Sequence, residues 1–303
     1  MKSEYFIFTS DWHLRHTAPV CRTDDFYTTM LRKVRFVFET ASYYDAPIII
    51  AGDLGHCSQW SNNLLYDFIT LKREFPDVKV IATLGQHDLT HHKLERWQYS
   101  GVGILNTVGM INVPHDYEKI KGVEFYFYSF GKEICPIKKV EGLKAVAITH
   151  QMVIQQQLWT GQKAKTGRRL LKEFPEYDVI VCGDNHLPFI ERDNDRILIN
   201  CGSLMRTTQD QREHKPRIYL WDSVKNKVEE IYLPIKKDVF RKDFEVSLKD
   251  ENMELFIKTI KGQGGYNREF SFKENLRKFL GENVDSLTVE TVKKINKAIA
   301  LES

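Results

Sequence analysis

An α/β fold is predicted for this chain by three features. Short runs rich in Ile, Val, Phe and Tyr recur along it, stretches with helical spacing of apolar residues separate some of them, and Gly-flanked polar clusters close several of the runs. The first run, 5–9 (YFIFT), reads as a strand too short for a buried helix. Residues 24–43 follow with helical spacing and an acidic start at Asp24 and Asp25, as expected of a crossover helix. A second strand is predicted over 47–51, a second helix over 60–74 ahead of Pro76, and further strands over 78–84, 143–148 and 178–182. Their near-continuous apolar character predicts strands covered on both faces. Strand-like runs at 196–200, 217–221 and 227–233 come next, separated by polar turns. Pro234 and the charged Lys236-Lys237-Asp238 mark a boundary, giving domains at 1–235 and 236–303. The second is predicted to be a small C-terminal helical region, with helices over 250–261, 272–280 and 285–301. No internal repeat is evident.

Five of the apolar runs end in polar clusters: Asp11-Trp12-His13, Gly52-Asp53, Gly85-Gln86-His87-Asp88, His150, and Gly183-Asp184-Asn185-His186. Open α/β sheets bind ligands at the carboxyl ends of their strands, so five loops distant in sequence are expected to converge on one site. Carboxylates and imidazoles suit a divalent ion such as Mn²⁺ or Fe²⁺, and the chain has no cysteine pair at the spacing of a thiolate site. Two such ions about 3.5–4 Å apart can hold a hydroxide as nucleophile and neutralise phosphoryl oxygens. Asp53, a carboxylate on a tight Gly-preceded turn, is the natural bridge between them. His87 is assigned as transition-state stabiliser or general acid, with the adjacent Asp88 expected to hold its ring in one tautomer.

The ordered series D-x-H, GD, G-x-H-D, H, G-x-x-H resembles that of the calcineurin-like metallophosphoesterase family, with the core spanning about residues 4–235. The resemblance implies a β-sandwich flanked by helices, in which 196–200, 217–221 and 227–233 complete the second sheet. It implies that Asp11, His13, Asp53 and His186 hold one metal, and that Asp53, Gln86, His150 and Asp184 hold the other, with His87 catalytic. Mn²⁺ is the expected ion, Fe²⁺ or Mg²⁺ being compatible with the same donors. The chain departs from the family pattern twice. Gln86 stands where the family usually has Asn, which adds a methylene that the loop must absorb and is expected to weaken the second metal. Asp184 stands where a His is common; it supplies a hard donor and favours Mn²⁺ or Mg²⁺.

Composition sets outer bounds. With 303 residues and 42% hydrophobic content the chain can build a packed core. It has no apolar stretch of eighteen residues and no cleavable leader pattern at its start, so no membrane association and a cytoplasmic location are expected, in the host cytoplasm for a phage-encoded chain. Five scattered cysteines fit reduced thiols, with Cys182 and Cys201 in the core.

The formal charge of +3 says little about substrate. Local charge says more, because Gly161 to Lys172 carries Lys163, Lys165, Arg168, Arg169 and Lys172 without an acid and is expected either to contact DNA phosphates or to form a solvated helix face. Trp12 and Trp159 are candidates for base stacking or for core positions. His56 is expected to touch substrate from its place three residues after Asp53. Arg206 and Arg15 are read as phosphate clamps or structural arginines. The Asp-Trp-His-Leu start, the Gly-Asp-Leu and the segment 200–206 (NCGSLMR) resemble the DNA-repair nuclease branch of the family, which includes the SbcD subunit of the bacterial SbcCD complex and its phage counterparts. That resemblance implies a metal-dependent DNA exonuclease or endonuclease, homodimeric, with an SMC-like ATPase docking on helices C-terminal to the core; the region 236–303 is read as such a docking or DNA-capping segment, or else as a small helical pack folded onto its own core. Gly55-His56 replaces the Phe-Asp that usually follows Gly-Asp-Leu in that branch. The rival readings are a small-molecule phosphodiesterase or protein phosphatase, and a metal-binding scaffold with Gln86 as its lesion.

Overall fold

The computed structural model describes residues 3–156, 164–237 and 239–241. In chain order these form β1 (Tyr5–Thr9), α1 (Phe26–Tyr43), β2 (Ile48–Ala51), α2 (Asn62–Arg73), β3 (Val80–Thr83), α3 (Gly101–Thr107), β4 (Tyr117–Ile120), β5 (Val123–Tyr128), β6 (Ala145–Thr149), β7 (Val153–Ile154), β8 (Lys165–Thr166), α4 (Gly167–Glu173), β9 (Val179–Cys182), β10 (Phe189–Asp193), β11 (Arg196–Asn200), β12 (Arg217–Asp222) and β13 (Lys227–Tyr232). The strands predicted at the five polar clusters and the helices at 24–43 and 60–74 are therefore present, to within a few residues. The predicted C-terminal helices lie outside the described residues, as do Trp159 and Lys163.

Two sheets stack face to face. The first runs β13-β12-β1-β2-β3 and the second β10-β11-β9-β6-β5-β4, with the pair β7-β8 apart. β1, β2 and β3 are parallel, as are β5, β6, β9 and β11, so their carboxyl ends share one edge within each sheet. One expectation needs correction: β12 and β13 extend the first sheet, β12 pairing antiparallel with β1, and only β11 joins the second. Apolar alternation cannot reveal which sheet a strand enters, because the inward row is the same in both cases.

Alternation along the strands places the core. Phe6, Phe8 and Ile49 of the first sheet meet Phe125, Val146, Ile148, Val179 and Ile199 of the second in a fully buried layer. The opposite row, Ile7, Ile48 and Ile50, packs under α1 and α2. α1 starts where the Asp25 carboxylate accepts from the Thr28 N–H at 3.1 Å, and it buries Met30, Val34, Val37, Phe38 and Ala41, one face at helical spacing. α2 is capped by the Ser61 hydroxyl and buries Leu64, Phe68 and Leu71. On the second sheet Leu170 and Leu171 of α4 cover Ala145, Ile180 and Leu198. The layers run helix, sheet, sheet, helix, the sandwich that the sequence leads one to expect. Among the described residues no helix is long and apolar enough to cross a membrane. Cys182 and Cys201 are buried, and all five cysteines are free.

Candidate metal centre

The loops after β1 and β2 run side by side, zipped by backbone bonds from Asp11 N to Gly52 O (3.1 Å), His13 N to Asp53 O (3.0 Å) and Leu14 N to Leu54 O (2.9 Å). Four of the candidate ligands in these and the last loop hold a positive φ that non-glycine residues seldom adopt: Asp11 (50°), His13 (45°), Asp53 (53°) and Asp184 (78°). Such strain costs on the order of 1–3 kcal/mol per residue and clusters at functional sites. Close packing admits no side chain at two nearby glycines. A Cβ on Gly52 would stand 2.3 Å from His150 Nδ1, and one on Gly85 would stand 2.1 Å from Asp53 Oδ1.

The predicted ligands converge. His13 Nε2 and His186 Nε2 face each other at 3.1 Å, and they lie 3.8 and 3.7 Å from Asp11 Oδ1. Asp53 uses Oδ1 to accept from the His87 N–H at 2.9 Å and points Oδ2 between His150 Nε2 (3.4 Å), His13 Nε2 (3.7 Å) and His87 Nε2 (3.9 Å). Asp11, His13 and His186 form one compact donor group, and Asp11, Asp53 and His150 form another. Gln86 donates its amide N–H to Asp184 Oδ1 at 2.7 Å, which leaves Gln86 Oε1 buried and unpartnered. The longer side chain thus reaches the cluster with its oxygen available. Asp184 joins through that bond and through its N–H, which approaches the Asp11 carboxylate at 3.2 Å.

Supporting groups fix the tautomers. His150 Nδ1–H donates to Ala51 O at 2.6 Å, and its Nε2 is buried without a partner. His87 Nδ1–H donates to the His56 carbonyl at 2.8 Å. This corrects the role expected of Asp88, which does not touch the His87 ring. Its buried carboxylate instead accepts from the N–H groups of Leu54 (3.3 Å), Gly55 (2.9 Å) and Gly85 (3.0 Å), stapling the loops after β2 and β3 together. His56 does reach the site, its ring stacked on His87 at 5.8 Å and 14°.

Charge distinguishes this cluster from an ordinary polar core. Asp11, Asp53 and Asp88 are fully buried, yet among the described residues none is paired with Lys or Arg. Burial pushes the Asp11 carboxyl up to about 7. Asp88 rises to about 7 from burial and from the charge of Asp53. His13 is pushed down to about 3 by burial, so its ring is neutral with a lone pair to offer. Burial would lower His150 too, but attraction to the Asp53 carboxylate 3.4 Å away prevails and raises it to about 10, a proton that a divalent ion would have to displace from Nε2. Asp53, which burial alone would raise, is held below the usual carboxylate range by His150, His13 and His87. Buried carboxylates without cations, together with the orphaned Asp53 Oδ2, His150 Nε2 and Gln86 Oε1, are what bound divalent ions would resolve.

Motif reasoning missed the scaffold behind the ligands. Asn200 Nδ2 donates to the carbonyls of Asn185 and Leu187, both at 2.7 Å, clamping the His186 loop. Ser203 N bonds His186 O and Leu204 N bonds Asp11 O, both at 3.1 Å. The signal was present in the segment 200–206, whose place after the last cluster is that of a brace. The structure also places the other residues singled out in the sequence, each of which carried a functional and a structural reading. Arg206 is buried and donates to the carbonyls of Arg212 (2.9 Å) and Lys236 (2.7 Å) with Phe240 against its guanidinium, so it is structural and clamps no phosphate. Trp12 is fully buried and donates to Thr9 Oγ1 at 2.8 Å, which removes it from base stacking. Lys165 pairs with Glu173 at 2.7 Å, Arg168 with Glu191 at 3.1 Å, and Arg169 lies 4.0 Å from Glu173. None of these ion pairs involves the metal cluster. The stretch that looked free of acids in sequence meets them just past its end and on β10. Arg15 bonds Thr17 Oγ1.

The family model for calcineurin-like phosphoesterases matches residues 5–188, more than half of the chain and all five clusters. The chain belongs to the calcineurin-like phosphoesterase family. It is therefore a metal-dependent phosphoester hydrolase by family, with a dinuclear divalent-metal site. No curated protein matches the sequence. Among solved structures, an archaeal phosphodiesterase is 20% identical, with 76% of this chain and 99% of that one covered and a TM-score of 0.42. A Thermus thermophilus protein is 13% identical, with 76% and 99% covered and a TM-score of 0.46.

Proposed function

We propose that this calcineurin-like phosphoesterase is a DNA nuclease, hydrolysing phosphodiesters in repair, recombination or phage DNA metabolism, in the cytoplasm. The observation that carries the chemical part is the convergence of Asp11, His13, Asp53, His150 and His186 around buried carboxylates that, among the described residues, no Lys or Arg neutralises. The DNA part rests on the motif resemblance, above all Asp11-Trp12-His13-Leu14 and the 200–206 segment that braces the Asp11 and His186 loops.

Asp11, His13, Asp53 and His186 would hold one divalent ion, and Asp53, Gln86, His150 and Asp184 the other; Mn²⁺ is the best candidate. When bound, the pair supplies an activated water and offsets the charge gathered on the phosphoryl oxygens. The residues do the rest. Asp53, with Oδ1 tied to the His87 N–H, offers a single free oxygen in a fixed direction. His150, its Nδ1–H tied to Ala51, offers only Nε2. His87, held through Nδ1 by the His56 carbonyl, keeps Nε2 on the half-exposed side of the cluster. From there it protonates the departing sugar oxygen, a contribution typically about 10²–10⁴ in rate. A homodimer and an SMC-like ATPase partner belong to the same proposal.

The test is end-labelled linear duplex DNA incubated with the protein and Mn²⁺, beside chelator and His87→Ala controls, resolved on a denaturing gel. Metal-dependent shortening that His87→Ala abolishes is the expected result. Intact DNA alongside turnover of a chromogenic phosphodiester would overturn the DNA reading while leaving the hydrolase standing.

A further inference from the structure

A cleft of about 470 Å³ lies between the C-terminal end of α1 and the edge strand β13, and it shares no lining residue with the metal cluster. Phe36, Glu39, Tyr43 and Tyr44 form one wall, and Glu229 and Ile231 form the other. Strand alternation makes Glu229 unusual. Val228 packs toward the core between the sheets, while Ile231 packs under the helices, so Glu229 occupies the helix-side row where an apolar residue is expected. Among the described residues neither Glu229 nor Glu39 forms an ion pair with Lys or Arg, the nearest cation acting on Glu39 being Arg35, which attracts it only at longer range. Arg35, one turn before Glu39, is committed to Glu74 through two 2.7 Å bonds.

The aromatic wall complements these two negative charges. Tyr43 meets Tyr44 edge-on at 4.9 Å and 84°, and Tyr44 meets Tyr5 at 5.2 Å and 62°. Tyr43 is 83% exposed, leaving ring surface open to a ligand. Ring faces beside carboxylates attract cations, and a planar guanidinium satisfies both better than an ammonium, by stacking on the ring and bonding the carboxylate in a fork. β13 adds a second element of recognition, since among the described residues it is paired on one side only, with β12. Its free edge can accept an extended strand.

We propose that this cleft docks a basic, extended segment of a partner protein, its arginine side chain seated between Glu39 and Glu229 against Tyr43 and Tyr44, and its backbone added to the edge of β13. The probe is a capped, fluorescein-labelled heptapeptide with arginine at alternate positions, compared by anisotropy with the peptide in which citrulline, neutral and nearly isosteric, replaces arginine. The full chain is expected to bind the arginine peptide at least about tenfold more tightly, from the loss of charge pairing and cation–π attraction in the citrulline form. The double variant Glu39→Gln with Glu229→Gln and the single variant Tyr43→Ala, at exposed positions and checked by thermal melting, are expected to erase most of that difference. Equal binding of both peptides by the native chain overturns the proposal without recourse to any variant. Undiminished binding by the double variant overturns it as well, as does competition by N-acetyl-arginine amide equal to that of the peptide, which would reduce the cleft to a site for small cations.

Discussion

Replacing Gly52 by alanine tests whether the backbone of the β2 loop is what holds His150 in place. The added Cβ would lie 2.3 Å from His150 Nδ1 and 2.6 Å from its Cγ, and the residue sits at φ +88°, where an L side chain is strained. The left-handed backbone costs about 1–2 kcal/mol and the overlap another ~1–3 kcal/mol, because the fully buried His150 ring has nowhere to retreat. The sum, about 2–5 kcal/mol, corresponds to a fall in melting temperature on the order of 10 °C for a domain of this size. Relief by ring movement would break the 2.6 Å bond from Nδ1–H to Ala51 O and swing Nε2 away from Asp53 Oδ2. Thermal melting in chelator reads the first effect, and Mn²⁺ calorimetry reads the second as loss of the weaker ion. A Gly52→Ala protein that melts within a degree or two of the native one and still takes up two ions would refute this reasoning.

Four other outcomes are expected. His87→Ala should lose about 10²–10⁴ in turnover of a phosphodiester while Mn²⁺ stoichiometry stays unchanged, as calorimetry would show. Gln86→Ala removes both the unpartnered Oε1 and the 2.7 Å bond to Asp184, so titration should show one ion weakened at least tenfold and the other unaffected. Arg206→Ala, which frees two carbonyls and the face of Phe240, should destabilise by about 1–3 kcal/mol in denaturant melts without changing metal uptake. Lys33, buried against Leu204 O with Arg206 and Arg22 nearby, is pushed down to about 7, chiefly by burial. Its folded pKa lies below its unfolded one, so between about pH 7 and 10 the unfolded chain holds more protons and stability rises with pH. In chelator, the native protein should gain up to about 1.4 kcal/mol per pH unit over Lys33→Met in that window, and parallel pH profiles would contradict it.

What sequence reveals here and what it hides follow from the range of the interactions. The strands that carry ligands are legible because each is a short apolar run closed by polar residues, and the convergence of their ends is a property of parallel strands. The partners of the ligands are hidden because they are backbone atoms brought in by the fold: Ala51 O for His150, His56 O for His87, and three loop N–H groups for Asp88. Adjacency made Asp88 look like the holder of His87, yet its side chain reaches Leu54 and Gly55, more than thirty positions earlier, as well as Gly85 in its own loop. The pairing of Arg168 with Glu191 on β10 is equally tertiary. The β4–β5 hairpin escaped notice because its outer strand, YEKI, alternates exposed and half-buried residues and buries only Ile120. Gln86 is the reverse case, since the expected weakening of the second ion is opposed by a side chain whose amide is already oriented, oxygen free, by Asp184.

Asp53, whose Oδ2 faces His150, His13 and His87, would be the carboxylate shared by the two divalent ions. Electron paramagnetic resonance of the protein loaded with two equivalents of Mn²⁺ reads this directly. The account predicts the broad, exchange-coupled signal of two nearby ions, replaced in Asp53→Asn by the six-line spectrum of isolated Mn²⁺; an isolated-ion spectrum from the native protein at full loading would contradict it.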